Sequence, residues 1–193
     1  MTDDPLMPNY RRRRCPGGTY FFSVMVAPDA GLSLLDHLHL LRIAYSETLS
    51  ENPFRTDAIV ILPDHLHAVW TLPEGDADYS LRWRKIKGRF TRMVKHSGKL
   101  TDSALRRGER GIWQRRFWER HLRTETELRK HQAYCWSDPV RHDLAELASD
   151  WGASSIHREI RAGILRPDWC APPLEGMFGD QQEQTEAQLA FPA

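Results

Sequence analysis

Cysteine is scarce. Cys15, Cys135 and Cys170 are the only three in 193 residues and share no close spacing, which argues against a zinc ribbon and against a disulfide framework. A reducing cytoplasm is the expected home. Long apolar runs are missing too: no stretch approaches the roughly 18 apolar residues of a membrane helix. Nothing in Met1–Tyr10 has the pattern of a signal peptide, so a soluble protein that is not exported by that route, with no membrane partner, is expected. The sequence carries no internal repeat. It is also short for a (β/α)8 barrel, which needs about 250 residues, and its strands and helices do not alternate far enough to build one. With 40% hydrophobic residues the chain can nonetheless bury a sizeable core.

Net charge is nearly absent at +1, but its distribution is uneven. Between Arg82 and Arg123 stand fifteen Lys or Arg against Asp102, Glu109 and Glu119, a local balance of +12. From Asp143 to Ala193 nine acidic residues face Arg158, Arg161 and Arg166, a balance of −6. Blocks of this kind point to a localised polyanion-binding face; the alternative is a solvated basic helix.

Residues 1–17 read as a basic arm, with Arg11, Arg12, Arg13 and Arg14 bracketed by prolines. Residues 18–165 read as one folded domain and 166–193, rich in Pro, Gly and Gln, as a poorly ordered tail. Within the domain, TYFFSVMVA predicts a strand. The leucine spacing predicts a helix over 31–50, capped by Ser33 and closed by Pro53. Two strands are expected near 57–62 and 65–72, then a basic helix over 80–96, a strand over 112–121 and a helix over 124–137 stopped by Pro139. One or two short helices follow. This order is the split pattern of a ferredoxin-like α+β fold: an antiparallel sheet with helices on one face, plus a later C-terminal helix.

The phrase PDHLHAVWTLP carries the sharpest chemical signal. On a strand, residues two apart point the same way, so His65 and His67 present two imidazoles on one face while Leu66, Ala68, Trp70 and Leu72 take the other. Two neutral imidazoles make half of a divalent-cation site. His37 and His39 supply a contrast. They fall in the first expected helix, where a two-residue step turns about 200° and the side chains diverge.

Three stretches together resemble the REP-associated tyrosine transposases, a branch of the single-tyrosine HUH transposases. They are PNYRRRRCPGGTYFF, DAIVILPDHLHAVWTLPEGDADYSLRWRKIKGRF and WQRRFWERHLR. The resemblance implies that His65 and His67 hold a divalent metal. It also implies that Tyr134, in the phrase Tyr134-Cys-Trp-Ser-Asp138-Pro139, is the nucleophile. The family's phrase is closer to Tyr-Ile-His-x-Asn-Pro, so only Tyr134 and Pro139 match outright and Asp138 stands for the common Asn. Tyr134 and Asp138 are four apart and would share a helix face. Asp138 then completes the metal site as an oxygen ligand, caps a following helix that begins with Pro139, or does both. Tyr134 read as an ordinary core aromatic is the plain alternative. His121, His131 and His142 are further candidate ligands. A mixed nitrogen and oxygen set favours Mg or Mn.

The activity implied is cleavage and rejoining of single-stranded hairpin DNA of the REP type through a 5′-phosphotyrosine, by a monomer in preference to a dimer. A domesticated relative that binds structured DNA without cutting it is the competing expectation. DNA contacts are expected from the arm Arg11–Arg14. A second set is expected from one face of the basic helix, where Arg82, Lys85, Arg89 and Arg92 recur at three- and four-residue steps. Arg115 and Arg116, set among aromatics, are a third. Trp83, Ile86 and Phe90 form the expected buried stripe of that helix.

Overall fold

The computed structural model describes residues 14–94 and 110–173. Four strands form a single antiparallel sheet: β1 (Thr19–Met25), β2 (Arg55–Ile61), β3 (His65–Thr71) and β4 (Trp118–Leu122), in the spatial order β2-β3-β1-β4. Helix α1 (Leu38–Glu51) joins β1 to β2, and α2 (Tyr79–Met93) joins β3 to β4. Both pack on one face of the sheet, which gives the ferredoxin-like arrangement expected from the element order. Helix α3 (Glu125–Arg141) covers the opposite face, followed by the short α4 (Ile156–Arg161). None of the described helices is long and apolar enough to cross a membrane.

The two faces follow from strand alternation. Tyr20, Phe22 and Val24 of β1 and Leu66, Ala68 and Trp70 of β3 point to α1 and α2 and form one core with Trp83, Ile86 and Phe90. Trp70 stacks on Trp83 with centroids 4.2 Å apart and planes at 15°. Each such buried aromatic contributes roughly 1.5–3 kcal/mol through area removed from water. The intervening residues Phe21 and Val69, with Ala58 and Val60 of β2, form a second core with Tyr134, Cys135 and Trp136 of α3. A sheet covered on both sides explains why His65 through Trp70 are all buried.

Several element ends differ from expectation. Helix α1 begins only at Leu38, because the preceding segment turns at Gly31 (φ 60°) and Leu34 N–H donates to Pro63 O (2.7 Å). Ser33 Oγ accepts from Leu35 N–H (3.3 Å) rather than capping the helix. The strand expected over 112–121 is divided: Trp113 bridges Val26, residues 114–117 are not strand, and β4 starts at Trp118. The exposed edge of β2 is closed by residues 153–155, through Ile61 N–H to Ala153 O (2.9 Å) and Ser155 N–H to Ile59 O (2.8 Å). Beyond the boundary drawn at 165, Trp169 packs on Trp136 (centroids 5.9 Å), so the ordered body runs past it. Residues 174–193 lie outside the described residues.

Pro139 does not stop α3. The helix runs on to Arg141 and closes with a Schellman arrangement, in which Leu144 N–H donates to Pro139 O (2.9 Å) and Asp143 N–H to Val140 O (3.1 Å). Asp143 takes the left-handed conformation this ending requires (φ 55°) and is the one non-glycine among the described residues with positive φ. At its start, Thr124 Oγ1 accepts from Glu127 N–H (3.1 Å) and Glu127 reaches back to Arg123 N–H (2.6 Å).

Candidate active site

Strand β3 brings His65 and His67 to the α3 side of the sheet, and each ring is oriented by a neighbour. His65 Nδ1 lies 2.7 Å from Asp64 Oδ1. His67 Nδ1 lies 2.9 Å from the hydroxyl of Ser23, the residue directly across from it on β1. Both Nε2 atoms then face Asp138 of α3: Oδ2 is 3.1 Å from His65 Nε2 and 3.4 Å from His67 Nε2. All three side chains are buried, Asp138 completely. From the end of α3, His142 Nε2 approaches Asp138 Oδ1 to 3.6 Å and Arg141 Nη1 to 3.7 Å. His65, Asp138 and His142 each offer a ligand atom, and these three atoms lie within 4.8 Å of one another.

This donor set suits a divalent cation. A carboxylate at Asp64 fixes the proton of His65 on Nδ1, so in the neutral ring the Nε2 lone pair points at a carboxylate oxygen. Two lone pairs 3.1 Å apart repel unless a cation sits with them. In the metal-free protein that cation is a proton. Burial disfavours the charged ring of His65, but hydrogen bonds and charge from Asp138 and Asp64 outweigh it and raise its pKa to about 9. Burial likewise opposes ionisation of Asp138, yet the His65 hydrogen bond and the nearby imidazoles hold it below the usual carboxylate range. Buried Oδ1 of Asp138 has no hydrogen-bond partner within the described residues, as expected of a ligand oxygen rather than a cap. The reading of Asp138 as an N-cap is therefore corrected, because the residue sits inside α3 and its carboxylate points across to β3.

Tyr134 lies one helical turn before Asp138 on the same face of α3. Its ring is buried against His67, with centroids 5.2 Å apart and planes at 76°, and against Phe21 at 5.8 Å. The guanidinium of Arg141 stands over the ring, its carbon 4.2 Å from the centroid. Cys135 is fully buried, and burial together with the charge of Asp138 pushes its thiol pKa up, which makes it inert as a nucleophile.

The other candidate residues separate. His131 bonds the Glu127 carbonyl through Nδ1 (2.7 Å) and lies tilted against Phe21, with centroids 5.0 Å apart. His121 faces the opposite side of the sheet, beside Tyr20 and the thiol of Cys15. Only His142 joins the cluster, and its position two residues beyond Val140 gave no sequence signal beyond helical proximity to Asp138. Among the basic residues, Arg14, Arg92, Arg115 and Arg116 are exposed; Arg11, Arg12 and Arg13 lie outside the described residues.

The expected positive face of the basic helix is corrected. Arg82 is 1% exposed, and its guanidinium donates to Asp76 Oδ2 (2.7 Å) and to the carbonyls of Asn52, Pro53 and Asp78. Lys85 binds Glu51 and Asn52, and Arg89 binds Glu47, Glu51 and Thr48. Lys85 and Arg89 are turned toward the acidic residues of α1, and Arg82 is buried against Asp76 and the chain just after α1. The regular spacing was real, but the acidic residues of α1 occupy the same face.

Comparison with known proteins agrees with this architecture. No family model matches the chain. The REP-associated tyrosine transposase of Escherichia coli is 36% identical over 175 residues, covering 91% of this chain and 98% of that protein. The chain belongs to the REP-associated tyrosine transposase family. A Haemophilus influenzae protein given the same name provisionally is 39% identical over 175 residues, covering 90% of this chain and 99% of its own. A solved REP-associated tyrosine transposase bound to a REP hairpin shares the fold at TM-score 0.79 and 36% identity, over 91% of this chain and 98% of that one. In this transposase family member the candidate cluster lies between β3 and α3.

Proposed function

We propose that the protein cleaves and rejoins single-stranded hairpin DNA of the REP type, with Tyr134 as nucleophile. The observation that carries this reading is the convergence of Tyr134 and Asp138 of α3 on the two β3 imidazoles. His65, His67 and Asp138 would hold the ion, with His142 at the rim. Mg or Mn there would withdraw charge from a phosphate oxygen as the transition state forms. The Tyr134 oxygen attacks phosphorus, the P–O3′ bond breaks, and the phenolic proton is balanced by the proton gained on the released 3′ hydroxyl. The linkage energy is kept in the 5′-phosphotyrosine, so a second 3′ hydroxyl can reverse the step without ATP. An ordinary phenol titrates near 10, so the residues around the ring have to place it. His67 and Phe21 fix it edge-on, and the Arg141 cation favours the phenolate that develops. Tyr134 and the candidate ligands His65, His67, Asp138 and His142 all come from one chain, which supports a monomer as the acting form.

The full burial of Tyr134 is the one observation that favours a purely DNA-binding role, since the ring must become accessible for attack. A hairpin oligonucleotide labelled at its 3′ end, incubated with Mn and run on a denaturing gel, separates the two. A labelled band migrating with the protein is expected. Its absence with wild-type protein that still binds the hairpin would establish the binding role instead.

A further inference from the structure

Tyr134, Asp138 and His142 follow one another at four-residue steps, so α3 and its closing turn deliver them along one stripe. The Asp138 carboxylate turns its two oxygens in two directions. Oδ2 faces the β3 pair, 3.1 Å from His65 Nε2 and 3.4 Å from His67 Nε2, whereas Oδ1 faces His142 Nε2 at 3.6 Å. An amide at this position would offer one acceptor oxygen; the carboxylate addresses imidazoles on both sides. The His142 ring also lies beside that of His65, with centroids 5.2 Å apart and planes at 60°.

A histidine at the end of a helix is ordinarily a cation for the last carbonyls, or a surface partner for a carboxylate one turn back. Pairing of that kind accounts for the approach to Asp138. It does not account for the ring lying beside His65, nor for ligand atoms of His65, Asp138 and His142 all falling within 4.8 Å of one another. Ligand atoms bonded at about 2.1 Å to one ion stand roughly 3.0–3.4 Å apart, close to the 3.1, 3.4 and 3.6 Å separations in this cluster. Arg141 Nη1 also approaches Oδ1, at 3.7 Å, but a guanidinium has no lone pair to give an ion. His142, with 42% of its side chain exposed, forms the solvent side of the cluster.

We infer that His142 is a further ligand of the ion, and that this third imidazole makes the site select a divalent cation of the iron-to-zinc series over Mg. The reason is donor chemistry. Mg is a hard ion that prefers oxygen ligands and keeps several of its waters, whereas imidazole nitrogen suits Fe, Co, Ni and Zn. Each imidazole added to one carboxylate therefore widens the gap between the two classes. The inference rests on the proposed metal site but not on attack by Tyr134.

Calorimetric titration of the full chain, first stripped with a chelator, tests it with Co(II) and Mg(II) in separate runs. The wild type is expected to bind Co(II) on the order of a hundredfold more tightly than Mg(II). His142→Gln replaces a nitrogen donor by an amide at an exposed helix end. It should weaken Co(II) binding at least tenfold and Mg(II) binding less than threefold, and shift the visible absorption of bound Co(II). His142→Arg keeps a cation beside Asp138 but no ligand atom, and should bind Co(II) no better than His142→Gln. Recovery of Co(II) binding in the arginine variant would reduce His142 to an ion-pair partner and overturn the inference. So would a His142→Gln protein whose Co(II) affinity and absorption match the wild type, an outcome that leaves the site of His65, His67 and Asp138 standing. Failure of the proposed metal site itself is distinct: the wild type would then take up neither ion, and the inference falls with it.

Discussion

The two faces of the sheet are made by the same strands yet solve opposite problems. Toward α1 and α2, β3 presents Leu66, Ala68 and Trp70 to an aromatic core, Lys85 and Arg89 pair with the acids of α1, and Arg82 pairs with Asp76. Toward α3 the same strand presents His65 and His67, and the helix answers with a buried carboxylate and a buried phenol. One face spends its polar groups on stability. On the other, Asp138 and two imidazoles are held close together at a cost in desolvation that folding alone does not require. The difference supports the proposed chemistry on the α3 face, although α2 carries six Lys and Arg residues.

The sharpest way to break this contrast is to remove one oxygen from the chemical face. Tyr134→Phe keeps the ring contacts with His67 and Phe21 and should abolish the covalent adduct, a loss beyond a thousandfold, with hairpin affinity and melting temperature nearly unchanged. Adduct formation by the Phe variant would remove Tyr134 from the mechanism. The matching change on the structural face is Arg82→Met. It strands the Asp76 carboxylate and three carbonyl acceptors and should cost about 3 kcal/mol, or roughly 6–12 °C in Tm. If Arg82 served DNA instead, the variant would keep its Tm and lose salt dependence.

Two histidines on the α3 face carry opposite pH signatures. Burial is the main cause that lowers the pKa of His131 to about 4, against an ordinary 6.5. Below pH 6.5 the unfolded chain binds a proton that the folded chain refuses, so stability falls as pH drops toward 4, by up to about 3 kcal/mol. His65 runs the other way in metal-free protein. With its pKa raised to about 9, its contribution is complete below pH 6.5 and is lost as pH rises through 9. Urea titrations from pH 4 to 10 should show both limbs. His131→Gln should flatten only the acid limb, and saturating Mn should suppress the alkaline one by replacing the proton.

Much of this was legible beforehand, for identifiable reasons. Period-two alternation placed His65 and His67 on one face, and the chain order of strands and helices is enough to specify the sheet. Four-residue spacing put Tyr134 and Asp138 together. What failed was inference about what a face meets. The step Arg82, Lys85, Arg89 identifies a stripe, but only the partner helix decides whether it is solvated, and Glu47 and Glu51 of α1 are spaced to meet it. The second core was hidden for a related reason: alternation cannot show that the histidine face is covered until α3 is docked. Pro139 misled because a missing N–H costs a helix one bond, and the Schellman closure two residues later supplies others.

That closure gives the smallest and most local test. Asp143 holds a left-handed conformation (φ 55°) that glycine adopts without strain. It ends the helix directly after Arg141 and His142, which reach Asp138 Oδ1 as i,i+3 and i,i+4 neighbours. Asp143→Gly relieves a side chain's conformational cost but adds unfolded-state entropy, so a net gain of only about 0.5 kcal/mol is expected, near 1–2 °C in Tm. Mn affinity measured calorimetrically should not change, because the backbone path is the same. Asp143→Val should instead destabilise and loosen Mn binding together, since a β-branched residue resists this conformation. If the valine variant lost stability with Mn affinity intact, the helix end would belong to the structural face of the comparison, and His142 would not be a ligand.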